Sequence, residues 1–255
     1  MNLLKMKRLI SFLIILLTVT VAKGQKSAQD IIDKAIEVSG GELYDQAIIS
    51  FKFRDKEYIS RRDNGLYSLE RIDRTTNSDK EIRDVVTNKG LVRTIDNCII
   101  NVADSLVTRI SDGVNSVHYF ANLPYGLNDS AVIKEKLGEE NIKGKDYYLI
   151  RITFNKEGGG TDFEDEFLYW ISKKEYTVDY LAYKYAVNGG GIRFREAYNP
   201  RVVNGLRFVD YNNYKENDLK TPLQSLGKLF ETGKLTKVSV IELKDINVYI
   251  NYGCC

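Results

Sequence analysis

The chain has 255 residues, 43% of them apolar and 28% charged, enough for one β-rich domain or two small ones. Its formal charge of +2 comes from the leader: residues 1–24 carry Lys5, Lys7, Arg8 and Lys23 and no acid, and without them the charge is −2. A near-neutral remainder excludes the basic footprint of a nucleic-acid binder, and no low-complexity linker or solenoid-period repeat divides it.

Lys5, Lys7 and Arg8 precede an apolar run from Leu9 to Val21 that ends at Ala22-Lys23-Gly24, a small-x-small pattern. This reads as a secretory signal peptide cut near Gly24. The run is shorter than the roughly 20 residues a spanning helix needs. The expected organisation is a signal peptide over 1–24 and a single domain over 25–255, periplasmic or secreted. Cysteine is sparse: Cys98, Cys254 and Cys255. Either Cys98 bridges to the tail and leaves one thiol free, or Cys98 is buried beside an unstructured tail. The second reading is favoured because chain ends are usually poorly ordered.

Ser27-Ala28-Gln29-Asp30 has the form of a capping box, and Ile32, Ala35 and Ile36 follow at helical spacing up to Gly40-Gly41. AIISFKFRDKEYISRR then reads as strands, turning at Asp63-Asn64-Gly65 into LYSLERI. EIRDVVTNKGLVRTI is a second hairpin about Asn88-Lys89-Gly90. In ADSLVTRISDGVNSVHYF, Leu106, Ile110, Val114 and Val117 recur as on a helix. YYLIRITF, DEFLYWISK, TVDYLAYKYA, GIRFREAY and GLRFVDYNNY are five strand-like runs, followed by a helical stretch at TPLQSLGKLFETGKL and a last strand, TKVSVIEL. The connectors are too short for helical crossovers, so the strands pair antiparallel. Along DEFLYWISK, Phe163, Phe167, Tyr169 and Ile171 point one way and Glu164, Glu166 and Trp170 the other. The predicted fold is α+β: a strongly curved antiparallel sheet with an N-terminal helix and a second helical segment. Tyr, Phe and Trp total 28, which predicts a concave side lined by aromatics.

On IKGKDYYLIRITF, FLYWISKKEYTVDYLAYKY and FREAYNPRVVNGLRFVDY, within residues 142–214, the chain resembles the LolA and LolB lipoprotein-carrier superfamily. Trp170-Ile171-Ser172 and Gly205-Leu206 stand at the positions that carry the likeness. Through HYFANLPYGLND, EGGGTDFEDEFLYWI and NGGGIRFREAYN it is similar over most of its length to an exported Gram-negative family of unknown function. The resemblance implies an incomplete β-barrel whose open side is covered by helices, with a hydrophobic cavity for an acyl chain or similar ligand. It implies no chemistry. The chain lacks the lipobox cysteine that the receptor branch carries.

EGGGTDFEDEFLYW, residues 157–170, opens a strand and lacks the Gly-Lys-Ser/Thr of a phosphate loop. Its acids allow a calcium-like oxygen cluster, but the favoured reading is a hairpin whose Asp162, Glu164 and Glu166 meet Arg193 and Arg195 across strands. His118 is the only histidine, without clustered zinc ligands or a Gly-x-Ser-x-Gly elbow. It is read first as a capping or hydrogen-bonding residue at the end of the second helix. Tyr119, Phe120 and Tyr125 in HYFANLPYGLND either gate a cavity mouth or fill the core.

The expected function is carrier-like, non-catalytic binding of a lipid or other apolar ligand in a barrel cavity. Contacts are expected from His118, Tyr119, Phe120, Tyr125, Tyr169, Arg193 and Arg195, with no cofactor, metal or catalytic residue. The further partners are an envelope protein and a transient membrane contact. The alternatives are a hydrolase using His118 with a nearby acid, and a packed structural or interaction module of the envelope.

Overall fold

A computed structural model of the chain describes residues 26–63, 65–74, 80–158, 160, 163–186 and 189–251. The leader, Asp162, Cys254 and Cys255 lie outside them. Helix α1 (Ala28–Ser39) starts with the reciprocal bonds its sequence predicts. Ser27 Oγ accepts from the Asp30 N–H at 3.1 Å, and Asp30 Oδ2 accepts from the Ser27 N–H at 3.0 Å. The helix ends at Gly40, whose φ of 136° suits glycine.

Fourteen strands follow among the described residues, all paired antiparallel. They are β1 (Ala47–Phe53), β2 (Lys56–Asp63), β3 (Leu66–Asp73), β4 (Ile82–Thr87), β5 (Gly90–Ile95) and β6 (Cys98–Ile100), then, after α2 (Asp104–Ala121), β7 (Val132–Ile142) and β8 (Lys145–Phe154). The series continues with β9 (Glu166–Ser172), β10 (Val178–Tyr185), β11 (Gly191–Val203) and β12 (Leu206–Glu216). A short α3 (Leu226–Glu231) precedes β13 (Thr236–Ile241) and β14 (Lys244–Ile250).

The meander is divided into two seven-stranded sheets, β14-β1-β2-β3-β4-β5-β6 and β13-β12-β11-β10-β9-β8-β7. The chain passes between them over Glu242 and Leu243, and a polar clamp holds that corner. Asp210 accepts from the Leu243 N–H at 3.0 Å, from Arg201 at 2.9 Å and from Asn199 at 2.7 Å. The same arginine donates to the Leu243 carbonyl at 2.7 Å. Strands β6 and β7 are the outer edges and α2 joins them, so the barrel is incomplete, as expected.

The two faces of the second sheet are both buried. Phe167, Tyr169 and Ile171 join Ile31, Ile32 and Ala35 of α1 in one cluster, and Leu168 and Trp170 join Leu226 and Phe230 of α3 in another. Full burial of each isoleucine contributes roughly 1.5–3 kcal/mol. Trp170 meets its one polar requirement by donating to Glu140 at 2.7 Å.

Three strands escape the sequence pattern. All three, β6, β7 and β14, are edges of their sheets; β7 carries the charged run Lys134-Glu135-Lys136 and the pair Glu139-Glu140, which discourages further pairing. Strand β14 is also largely exposed. The helical stretch at TPLQSLGKLFETGKL contracts to a 3₁₀ turn, Leu223–Ser225, and α3. Cys98 is exposed and free rather than buried, because it opens the exposed edge strand β6. Strand β9 begins at Glu166, so Phe163 and Glu164 belong to the preceding turn and not to its alternation.

Candidate functional site

Helix α2 crosses the inner face of the first sheet with Ile110, Val114 and His118 buried at i, i+4 and i+8. The His118 ring stands edge-on to Phe51 and Tyr58, with centroids 5.8 and 5.6 Å away. Its Nε2 lies 3.0 Å from the main-chain oxygen of Glu70. Burial pushes the imidazole down to about 4, against the opposing pull of the Glu70 carbonyl, and the Arg62 charge adds to the effect. The ring is therefore neutral at physiological pH.

After α2 the chain folds back over the sheet through a cis Leu123–Pro124 bond and a 3₁₀ turn, Tyr125–Asn128. Tyr125 stacks on Tyr44 with centroids 4.8 Å apart, and its hydroxyl donates to Asp45 at 2.5 Å. The Arg62 guanidinium lies 4.9 Å from the Tyr125 ring centroid.

A cavity of about 480 Å³ lies between this segment, the β2–β3 hairpin and Gly158. Its wall includes Asp45, Arg62, Leu66, Tyr67, Leu69, Asn115, His118, Tyr119, Asn122, Tyr125 and Asp129. Burial distinguishes rim from floor: Leu66 is 65% exposed, whereas His118 and Asn122 are 1% and 2% exposed.

The floor is rich in polar atoms without partners. Both side-chain heteroatoms of Asn122, Nδ1 of His118 and Nη1 of Arg62 are buried and make no hydrogen bond. Arg62 is half-buried, and among the described residues its guanidinium has neither a hydrogen bond nor an ion pair. Burial lowers its pKa, while Tyr125, Asp129, Tyr44 and Asp45 act in the opposite sense. Buried polar groups are ordinarily satisfied, so three such residues around one cavity mark it out.

The structure brings His118, Tyr119 and Tyr125 together on this wall. Phe120, Tyr169 and Arg195 belong to an adjoining aromatic cluster. Arg195 lies 3.8 Å from the Phe120 centroid and donates to the Tyr183 hydroxyl at 2.8 Å. The Tyr119 and Tyr169 hydroxyls, 2.8 Å apart, link the two regions. Arg193 rests on the Tyr185 ring and donates to the Ile192 carbonyl.

Among the described residues, the expected pairing of Arg193 and Arg195 with Glu164 and Glu166 does not form; Asp162 lies outside them. Strand β10 stands between β9 and β11, and Glu166 instead faces Arg151 at 3.9 Å. Among the described residues no carboxylate or serine hydroxyl is bonded to the His118 ring, and no three acidic, cysteine or histidine side chains gather as metal ligands would.

Arg62, Asn122 and Asp129 were not singled out by the sequence. For Arg62 a signal exists in KEYISRRD: it shares strand parity with Tyr58 and Ser60, both buried on the inner face.

A family model covers residues 6–243. The chain belongs to a family of unknown function, DUF6503. No protein with a curated description matches it. Among solved structures it is similar to a LolA superfamily protein from Nitrosomonas europaea, at 15% identity and a TM-score of 0.48, covering 88% of this chain and 94% of that one. A DUF1329 family protein from Desulfovibrio piger is 13% identical with a TM-score of 0.43, covering 91% and 96%.

Proposed function

We propose that this DUF6503 protein is a non-catalytic, carrier-like binding protein of the cell envelope that holds a lipid or similar amphiphile at the cavity beneath residues 119–129. The observation that supports this reading is the cavity itself. Its volume, about 480 Å³, falls within the range of roughly 300–1,000 Å³ typical of small-molecule sites. Leu66, Leu69, Tyr67, Tyr119 and Tyr125 offer it apolar and aromatic surface. The envelope location rests on the signal-like leader, and exchange with an envelope protein or a membrane surface belongs to the same reading.

One observation favours a second reading, a packed interaction module. The inner face of the second sheet is filled by Tyr148, Phe167, Tyr169 and Tyr211, all buried against α1.

Native mass spectrometry of the mature protein from its own periplasm, followed by organic extraction, separates the two. A co-purifying acyl compound supports the binding protein. A protein that carries nothing and ignores a fluorescent fatty-acid probe supports the packed module.

A further inference from the structure

We propose that the ligand of this cavity is an amphiphile with a neutral, hydroxyl-bearing head group, of the sugar or glycerol kind, whose hydroxyls bond His118, Asn122 and Arg62 at the floor. The proposal rests on the binding reading above and specifies its ligand class.

The hydrogen-bonding inventory of the floor decides the head group. His118 Nε2 faces the main-chain oxygen of Glu70, so Nε2 holds the proton and the buried Nδ1 is an acceptor in need of a donor. Arg62 Nη1 is the reverse, a buried donor in need of an acceptor. Asn122 follows His118 by one helical turn and is 2% exposed, with one of each unmet: Oδ1 accepts and Nδ2 donates. A carboxylate only accepts and an ammonium only donates, so either would leave half of this set unpaired. A hydroxyl does both, and adjacent hydroxyls can serve His118 and Asn122 together. Each buried polar atom left without a partner costs about 1–3 kcal/mol, so a ligand that meets both kinds is favoured over one that meets a single kind.

The charges around the cavity agree. Asp45 and Asp129 share the wall with Arg62, and both act on it. Two carboxylates already outweigh the one guanidinium, which leaves no counter-charge for an anion to supply. A cation entering the same cavity would meet Arg62. The carboxylate oxygens, one of which accepts from Tyr125 at 2.5 Å, are further acceptors for a ligand hydroxyl. The rim completes the assignment. Leu66 and Tyr67 are exposed side chains beside the opening, a track for an alkyl chain whose hydroxylated end lies inside.

The test is isothermal titration of the mature protein at pH 7.5, below the micelle concentrations, with dodecyl glucoside, dodecanoate and dodecyltrimethylammonium. The three share one alkyl chain and carry a neutral hydroxylated, an anionic and a cationic head. The glucoside is expected to bind about tenfold or more tightly than either ion, the worth of one or two net hydrogen bonds. Asn122→Leu should bring the glucoside down to the affinity of the ions and leave the ions unchanged. Equal binding of all three, tighter binding of either ion, or an equal loss of all three in Asn122→Leu overturns the head-group assignment and leaves the apolar-binding reading standing. Displacement of the glucoside by millimolar methyl glucoside also overturns it, in favour of a free-sugar site. Binding of none of the three overturns the binding reading as well. If Asn122→Leu does not fold, Arg62→Met decides: a loss confined to the glucoside supports the proposal, and a parallel loss of all three overturns it.

Discussion

The Nε2 atom of His118 lies 3.0 Å from the main-chain oxygen of Glu70, and this contact ties α2 to β3. A carbonyl oxygen only accepts, so Nε2 carries the proton and Nδ1 is left as a bare acceptor. The helix is thus anchored to the first sheet through a neutral ring packed against Phe51 and Tyr58. Protonation of Nδ1 would place a charge in that apolar setting beside Arg62.

The sign of the resulting pH dependence follows. The folded imidazole is pushed from 6.5 down to about 4, so between those values the unfolded chain binds the proton and the folded chain does not. Stability is complete above pH 6.5 and falls as the pH drops towards 4, by roughly 3 kcal/mol from this residue. Chemical denaturation at pH 7.5, 5.5 and 4.5 should show that decline. His118→Gln should flatten it, and a slope unchanged in the variant would assign the decline to other groups.

A second acid-sensitive element lies on the inner face of the same sheet. Arg71, Asp84 and Arg93 stand in register across β3, β4 and β5, with Asp84 bonded at 2.7 Å on one side and 2.6 Å on the other. Burial alone would raise the Asp84 carboxyl, but bonds from Arg93 and Arg71 outweigh it and hold it below the usual range. Its stabilisation is present above the ordinary carboxylate pKa and is lost as the pH falls through the depressed value, below the window of His118. Asp84→Asn leaves two arginines facing each other and should cost about 3 kcal/mol at pH 7. A loss of only a few tenths in equilibrium unfolding would mean that solvent screens the pair.

The corner between the sheets gives a third prediction. Asp210 is 4% exposed and gathers bonds from Asn199, Arg201 and the Leu243 N–H. Asp210→Asn keeps the shape but loses the charge that holds Arg201, at an expected cost of about 2 kcal/mol. Hydrogen exchange should quicken first in β14, the strand reached through this corner. Uniform acceleration across both sheets would instead indicate a global loss.

The hairpins, both longer helices and the antiparallel pairing were legible because each has a local signal: the Ser27–Asp30 capping box, the Asn88-Lys89-Gly90 turn, the i, i+4 spacing of Ile110 and Val114. The division into two sheets was not, because it depends on Leu243 meeting Asp210 across 33 positions of chain. Edge strands β6 and β7 were hidden because exposed faces carry no apolar period. For the site, HYFANLPYGLND was recognised as distinctive, and it supplies His118, Tyr119, Asn122, Tyr125 and Asp129 to the cavity wall. Arg62 went unnoticed because its place on the cavity wall depends on Tyr125, which the fold brings to 4.9 Å from it.

Gly40 tests how tightly the cap of α1 is held against the return of β12. Its φ of 136° is strained for any side chain. A Cβ there would also stand 2.4 Å from Leu206 Cδ2 and 3.2 Å from the Gly205 oxygen. Leu206 is fully buried and the oxygen belongs to backbone, so neither gives way freely. Gly40→Ala should therefore cost roughly 2–3 kcal/mol, more than the effect of φ alone. A double-mutant cycle with Leu206→Ala separates the causes. If the clash contributes, the double variant loses less than the sum of the singles, because truncating Leu206 makes room for the new methyl. If the two losses add, backbone strain at Gly40 accounts for its whole effect, and the contact with Leu206 yields without cost.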